Sequence, residues 1–306
     1  VDETRLFRFL QDTQPKEMDK LGVFASDTKK RQFLNRLSGE IAKRGIIDVL
    51  RNGVKVYPAD LIMFYLTPTE NNEQARIMYE KNIFSVTRQL RYSQDAGKLA
   101  LDVCLFINGL PVITMELKNQ LTKQNTENAV CQYKEDRDFH DLLFSFKRCM
   151  VHLAVDDATI QFCTKLAGKD SWFLPFNKGY NDGAGNPPNP DGLMTDYLWK
   201  DILTKRKLSR IIENYAQVVE KEDPDTKKKT YTQVFPRYHQ LDVVERLLEV
   251  VDDLRPLVLI PVIRLEAVAR VDLAVNIQKP VLREIGLCVN SLLELVVHRA
   301  RDHTVY

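Results

Sequence analysis

The sequence predicts an α/β (α+β) fold, a central mixed sheet flanked by helices and followed by a helical C-terminal segment. Three observations predict it. Apolar residues recur at helical spacing over the first 50 residues, and from residue 54 the period shifts toward two. Helical spacing then returns, first between strand-like runs and again after residue 197. An order of helix, strands, helix, strand is the order of a mixed sheet.

Each element has its own signal. Phe33, Leu34, Leu37 and Ile41, then Ile46, Ile47 and Leu50, form the apolar stripe of the first helical region. Lys29, Lys30, Arg31, Arg36, Lys43, Arg44 and Arg51 accompany it, as a solvated helix face or a surface turned to nucleic acid. Residues 61–66, 83–92, 99–107 and 111–117 read as strands. Residues 126–139 read as a helix, and 149–155 and 159–163 as two more strands turning at Asp156–Asp157. NDGAGNPPNPDG (181–192) can continue neither a helix nor a central strand. Residues 197–203 and 208–218 read as helical, and KEDPDTKKKT (221–230) as an exposed charged loop or linker. The last two helices expected are 238–254, with Leu241, Val244, Leu247, Leu248 and Val251 on one face, and 280–301.

Composition sets the outer bounds. A chain of 306 residues has room for about two domains. With 44% apolar and 28% charged residues it excludes a chain disordered throughout. The 44 basic and 42 acidic residues leave a net charge of +2, so any nucleic-acid site rests on local clustering. Five cysteines without a CxxC pair argue against a metal cage or a disulfide framework and fit a reducing, cytoplasmic setting. The start has no apolar signal-peptide core, and no run is long and apolar enough to span a membrane.

The chemistry is concentrated in KLALDVCLFINGLPVITMELKN (98–119). Asn108–Gly109 marks a hairpin, because both residues tolerate positive φ. Leu101, Val103, Leu105 and Ile107 alternate with Asp102 and Cys104, and Ile113, Met115 and Leu117 alternate with Thr114, Glu116 and Lys118. A plain two-residue turn would set the apolar face of one strand against the polar face of the other. The pattern therefore predicts a three-residue loop or a bulge at Gly109 rather than a pairing of Ile107 with Leu110. Asp102, Glu116 and Lys118 then share one face. Two carboxylates, with the Leu117 carbonyl, can hold a hard divalent cation, and a lysine can orient water or steady charge on a phosphate. Asp-x(13)-Glu-x-Lys is a degenerate PD-(D/E)xK nuclease pattern, and a solvated face with a cross-strand ion pair is the simpler alternative.

Longer motifs carry a resemblance. NIFSVTRQLRYSQDAGKLALDVCLFINGLPVITMELKNQLTKQNTENAVCQYKEDRD (82–138), LLFSFKRCMVHLAVD (142–156) and WFLPFNKGYNDGAGNPPNPDG (172–192) resemble the N-terminal nuclease domain of the restriction (R) subunit of type I restriction-modification enzymes. FPRYHQLDVVERLL (235–248) resembles the entry into that family's motor domain. The resemblance implies a PD-(D/E)xK, RecB-like core. Its catalytic residues would be Asp102, Glu116 and Lys118, with Mg²⁺ or Mn²⁺ held by Asp102, Glu116 and Leu117. It implies double-stranded DNA and the methyltransferase (M) and specificity (S) subunits as partners, with ATP used only by the full-length parent enzyme.

Some relatives carry Gln-x-x-x-Tyr on the following helix. Here Ala129 stands four before Tyr133, and the glutamine is Gln132. Lys123, Gln132, Tyr133, Lys134 and Arg137 are the candidate DNA contacts, with Lys134 and Arg137 expected to be exposed. Glu40 is a further candidate acid. The expected domains are an endonuclease over 1–215, a charged linker over 216–235, and an incomplete motor segment over 236–306. That last segment has no phosphate-binding Gly-x-x-x-x-Gly-Lys-Ser/Thr, so no ATP turnover is expected of it. His140, His152 and His239 read as non-catalytic, Trp172 and Trp199 as packing aromatics, and Cys104 as a small filler. The competing functions are a non-cleaving module that docks DNA or partner subunits, and a stand-alone repair-type nuclease of the same fold.

Overall fold

The computed structural model describes residues 1–69, 72–92, 100–224 and 226–254, and side chains as far as residue 248. Four helices open the chain: α1 (Glu3–Thr13), α2 (Pro15–Leu21), α3 (Asp27–Arg44) and α4 (Ile46–Asn52). Asp2 and Ser26 cap α1 and α3 by accepting main-chain N–H bonds, and Pro15 starts α2 where a missing N–H costs nothing. Phe33, Leu37 and Ile41 bury one stripe of α3, as their spacing predicts. Much of its basic face is already spoken for. Lys30 pairs with Glu3, Arg36 with Glu40, and Arg44 with Glu40 and Asp48. Arg51 is not on that surface, since it donates to the carbonyls of Ile212 (2.5 Å) and Ala216 (2.6 Å).

A short hairpin, β1 (Val54–Val56) with β2 (Ala59–Leu61), leads to α5 (Glu73–Glu80). The strand expected over 61–66 is only its first residue. Met63 and Phe64 are buried instead within irregular chain. The central sheet then follows in sequence order: β3 (Phe84–Arg91), β4 (Ala100–Ile107), β5 (Leu110–Leu117), β6 (Val151–Val155), β7 (Ile160–Cys163) and β8 (Leu174–Pro175). Every pairing is antiparallel except β5 with β6, which is parallel. A parallel pair needs a long crossover. Here residues 118–150 supply it, carrying α6 (Thr126–Cys131), which runs on as one π turn (Gln132–Asp136) and packs on β5, β6 and β7.

The β4–β5 turn corrects one expectation and keeps the other. Ile107 does pair with Leu110, across a two-residue turn whose Asn108 (φ 50°) and Gly109 (φ 79°) are both left-handed. The extra residue lies farther along, at Val112. Phe106 pairs with Pro111, and Leu105 with Ile113. The turn stays tight because distant chain grips it. Asn108 donates to the Met63 carbonyl (2.9 Å) and accepts from Ile83 N (2.7 Å), while Asp2 N donates to the Gly109 carbonyl (2.8 Å). A Cβ on Gly109 would meet the Asp2 carbonyl oxygen at 2.4 Å. The slip falls next to Pro111, which cannot donate to a ladder.

Both faces of the sheet are covered. Val103, Leu105, Ile107, Ile113, Met115, Val151, Leu153 and Val155 join the opening helices in the main core. Cys104 and Phe106 join Tyr133 and Phe144 in a second core on the side of α6. Leu101 breaks the alternation and belongs to the second core, because the β3–β4 ladder skips Asp102 opposite Gln89 (φ 50°). The tryptophans are not core residues, as Trp172 is 75% and Trp199 38% exposed.

A π turn (Leu198–Ile202) precedes α7 (Lys205–Arg210), whose helix ends at Tyr215. Residues 216–235 are not a linker. They form a hairpin of β9 (Gln217–Glu222) and β10 (Lys229–Val234), with the charge run at its tip. Gln233 anchors it through bonds to the carbonyls of Cys149 and Met150, both 2.8 Å, and Phe235 packs on Phe162 and Phe176. Then comes α8 (Tyr238–Leu254), burying Leu241 and half-burying Val244, Leu247 and Leu248. Residues 1–253 form one compact unit. The helix expected over 280–301 and most of the motor segment lie outside the described residues.

Candidate active site

Asp102 sits on β4 and Glu116 on β5, and the register that pairs Val103 with Met115 sets the two acids opposite each other. Val112 makes this possible, since its extra residue restores the phase that the two-residue turn would lose. Asp102 accepts from Leu117 N at 2.9 Å through one oxygen and from Gln89 Nε2 at 3.0 Å through the other. Its carboxylate is therefore fixed at both ends to the neighbouring strands.

Glu116 is fully buried, so the simple alternative of a solvated face does not hold here. One oxygen, Oε1, takes both Nε and Nη2 of Arg137, each at 2.7 Å. The other, Oε2, is buried and has no hydrogen-bond partner. Burial holds the Glu116 carboxyl well above the usual carboxylate range, opposed by the Arg137 charge and reinforced by Asp102.

Lys118 follows β5, half-buried, with its N–H on the Val155 carbonyl (2.8 Å). Its ammonium donates to Gln132 Oε1 at 2.5 Å. The sequence therefore names the two acids and the lysine, and the crossover helix adds a side chain that holds the lysine. The all-oxygen donors of Asp102, Glu116 and the Leu117 carbonyl suit a hard divalent cation, and the orphaned Oε2 is a carboxyl oxygen that such a cation would satisfy while favouring the ionised form. Among the described residues, no group of three or more His, Cys, Asp and Glu side chains is arranged to hold a metal.

Two expected DNA contacts are corrected. Arg137 is buried against Glu116, and Tyr133 is buried under the sheet with its hydroxyl 2.9 Å from Thr114 Oγ1. Both follow from the docking of the α6 crossover over the strands, which turns the inner side of its π turn away from solvent. Lys123 is exposed, Gln132 and Lys134 half-buried. Glu40 is held by Arg36 and Arg44 on its own helix.

His152, beside Thr114 in the parallel β5–β6 register, bonds Thr114 Oγ1 at 2.7 Å, and burial pushes its pKa down to about 3. Burial likewise raises the Cys104 thiol, in keeping with a filler rather than a nucleophile. Sequence reasoning missed the burial of Arg137 and the Asp102–Gln89 bond. Both join residues far apart in the chain, and only the invariable positive charge of Arg137 near two acids hinted at the first.

Comparison with known proteins places the chain in a family. A family described as the type I restriction enzyme R protein N terminus matches residues 12–171, more than half of the chain. A protein of Methanocaldococcus jannaschii named as type I restriction enzyme MjaVIIIP endonuclease subunit is 24% identical over 244 residues. That alignment covers 76% of this chain and 21% of the relative, so the chain spans about a fifth of the relative's length. Within the described residues, no helix is long and apolar enough to cross a membrane. With that match covering more than half of its length, the chain belongs to the family of type I restriction enzyme R protein N-terminal domains.

Proposed function

We propose that this domain is a Mg²⁺-dependent DNA endonuclease, the cutting part of a type I restriction enzyme R subunit. The observation that carries the reading is the buried Glu116 Oε2, an unpartnered acid oxygen opposite Asp102 and two residues from Lys118. Asp102, Glu116 and the Leu117 carbonyl would hold the cation, with Mn²⁺ as an alternative. When bound, it would polarise a phosphodiester and lower the pKa of water. The chain's own residues do the rest. Gln89 and Leu117 N–H keep Asp102 aimed. Gln132 holds the Lys118 ammonium where it can orient the attacking water and steady charge gathering on the phosphate. Hydrolysis joins the water oxygen to phosphorus, breaks one P–O ester bond and leaves the departing oxygen to take a proton.

Double-stranded DNA is the substrate in this reading, and the M and S subunits and ATP belong to the larger assembly. The test is incubation of the full chain with supercoiled DNA and Mg²⁺ or Mn²⁺. Nicking is expected, with a loss of about 10²-fold or more in Lys118→Ala and Asp102→Ala. Unchanged cleavage by either folded variant would overturn the assignment. DNA binding without any nicking by the unsubstituted chain would favour a docking module instead.

A further inference from the structure

The guanidinium of Arg137 is 2% exposed, and every one of its bonds goes to the walls of the candidate active site. Nε and Nη2 take Glu116 Oε1 on β5, and Nη2 also donates to the Ala100 carbonyl (2.9 Å), two residues before Asp102 on β4. Nη1 donates to the Tyr92 hydroxyl (3.2 Å), just past β3, and the Tyr92 ring lies 5.6 Å from the guanidinium. Three consecutive strands are thus joined at one planar cation, on the side where the two acids face each other.

The fork is asymmetric in its effect on Glu116. It occupies Oε1 completely and leaves Oε2 bare. A lysine could neutralise the same carboxylate, but it has no rigid planar fork to hold one oxygen while bonding a main-chain carbonyl and a tyrosine hydroxyl.

We propose that Arg137 is the positioning residue of the cation site: it engages one oxygen of Glu116, presents the other to the divalent cation, and fixes the distance between the two acid-bearing strands. This rests on the proposed nuclease reading, in which Asp102 and Glu116 hold the cation. Ligating carboxylates are held by outer groups whose loss weakens metal binding by about 10–100-fold, and Arg137 is such a group.

The test is Mn²⁺ binding to the full chain, measured by calorimetry and by the electron paramagnetic resonance of free Mn²⁺, with no DNA present. Arg137→Lys keeps the charge and removes the fork. Its Kd for Mn²⁺ is expected to rise by about 10–100-fold with circular dichroism unchanged. Tyr92→Phe frees one corner of the guanidinium and is expected to weaken binding in the same direction by less. A residue that only stabilised the fold would lower the melting temperature and leave the Kd of the folded protein alone. An unchanged or tighter Kd in folded Arg137→Lys overturns the inference and leaves the nuclease reading standing. Should Arg137→Lys not fold, an unchanged Kd in Tyr92→Phe does the same. Absence of Mn²⁺ binding by the unsubstituted chain, or binding that survives Glu116→Gln, overturns both.

Discussion

The two faces of the central sheet are built from the same strands and do opposite things. On one face Val103, Leu105, Met115, Leu153 and Val155 pack against the opening helices in an aliphatic core. On the other, the intervening residues are Asp102, Thr114, Glu116 and His152, covered by the π turn that carries Gln132 and Tyr133 and by Arg137 just past it. Aliphatic packing asks only for volume and shape. The polar face asks that each donor and acceptor be matched, because an unmatched polar group in the interior is costly. Most polar atoms there are matched, and Glu116 Oε2, a buried carboxyl oxygen without a partner, marks the point where function is proposed. The difference teaches that a strand can keep stability and chemistry apart by parity alone.

The largest effect that tests this separation is on the aliphatic face. Leu153→Ala is expected to cost about 2–5 kcal/mol of stability by leaving a cavity. Chemical denaturation measures the loss, and Mn²⁺ titration of the folded protein is expected to give an unchanged Kd. A weakened Kd would mean that the faces are not independent.

A smaller effect sharpens the contrast from the polar side. His152 has its folded pKa pushed down to about 3, against an ordinary 6.5. Below about pH 6.5 the unfolded chain takes up a proton that the fold refuses, so stability is lost as pH falls through the window from about 6.5 to about 3. Above that window His152 contributes no pH dependence. The slope is about 1.4 kcal/mol per pH unit at most. Unfolding free energies measured at several pH values are expected to converge with those of His152→Gln as pH falls. Parallel curves for the two proteins would sink the assignment of a neutral, buried imidazole.

The smallest expected change is at the rim. Lys123 is exposed just past the active-site strand. If it meets a DNA phosphate, Lys123→Ala reduces the slope of log binding constant against log salt by about 1 without altering sequence preference. An unchanged slope by filter binding or fluorescence anisotropy removes it from the DNA surface.

Much of this was legible in the chain itself, and what was not has physical causes. Alternation is local, so Asp102, Glu116 and Lys118 could be placed on one face from a period of two. The same parity shows that an extra residue must exist, but not where. Its location at Val112 depends on Asn108 being gripped by Met63 and Ile83, contacts that span tens of residues. Arg137 and Tyr133 read as surface groups because a helix of mixed polarity does not announce which side will dock. KEDPDTKKKT reads as a linker because a two-stranded ribbon with a charged tip has little apolar alternation to show. Its anchor, Gln233, bonds carbonyls more than 80 residues earlier in the chain.

The bulge at Val112 has one more consequence. Between the Asn108–Gly109 turn and Glu116, the number of residues matters as much as their identity. Each added or missing residue on that stretch would exchange the two populations of side chains, sending Glu116 among the aliphatics and Met115 toward Asp102. Chain length over those few positions thus acts as a phase setting: β5 can tolerate many changes of letter, but a change of count would rewire the site.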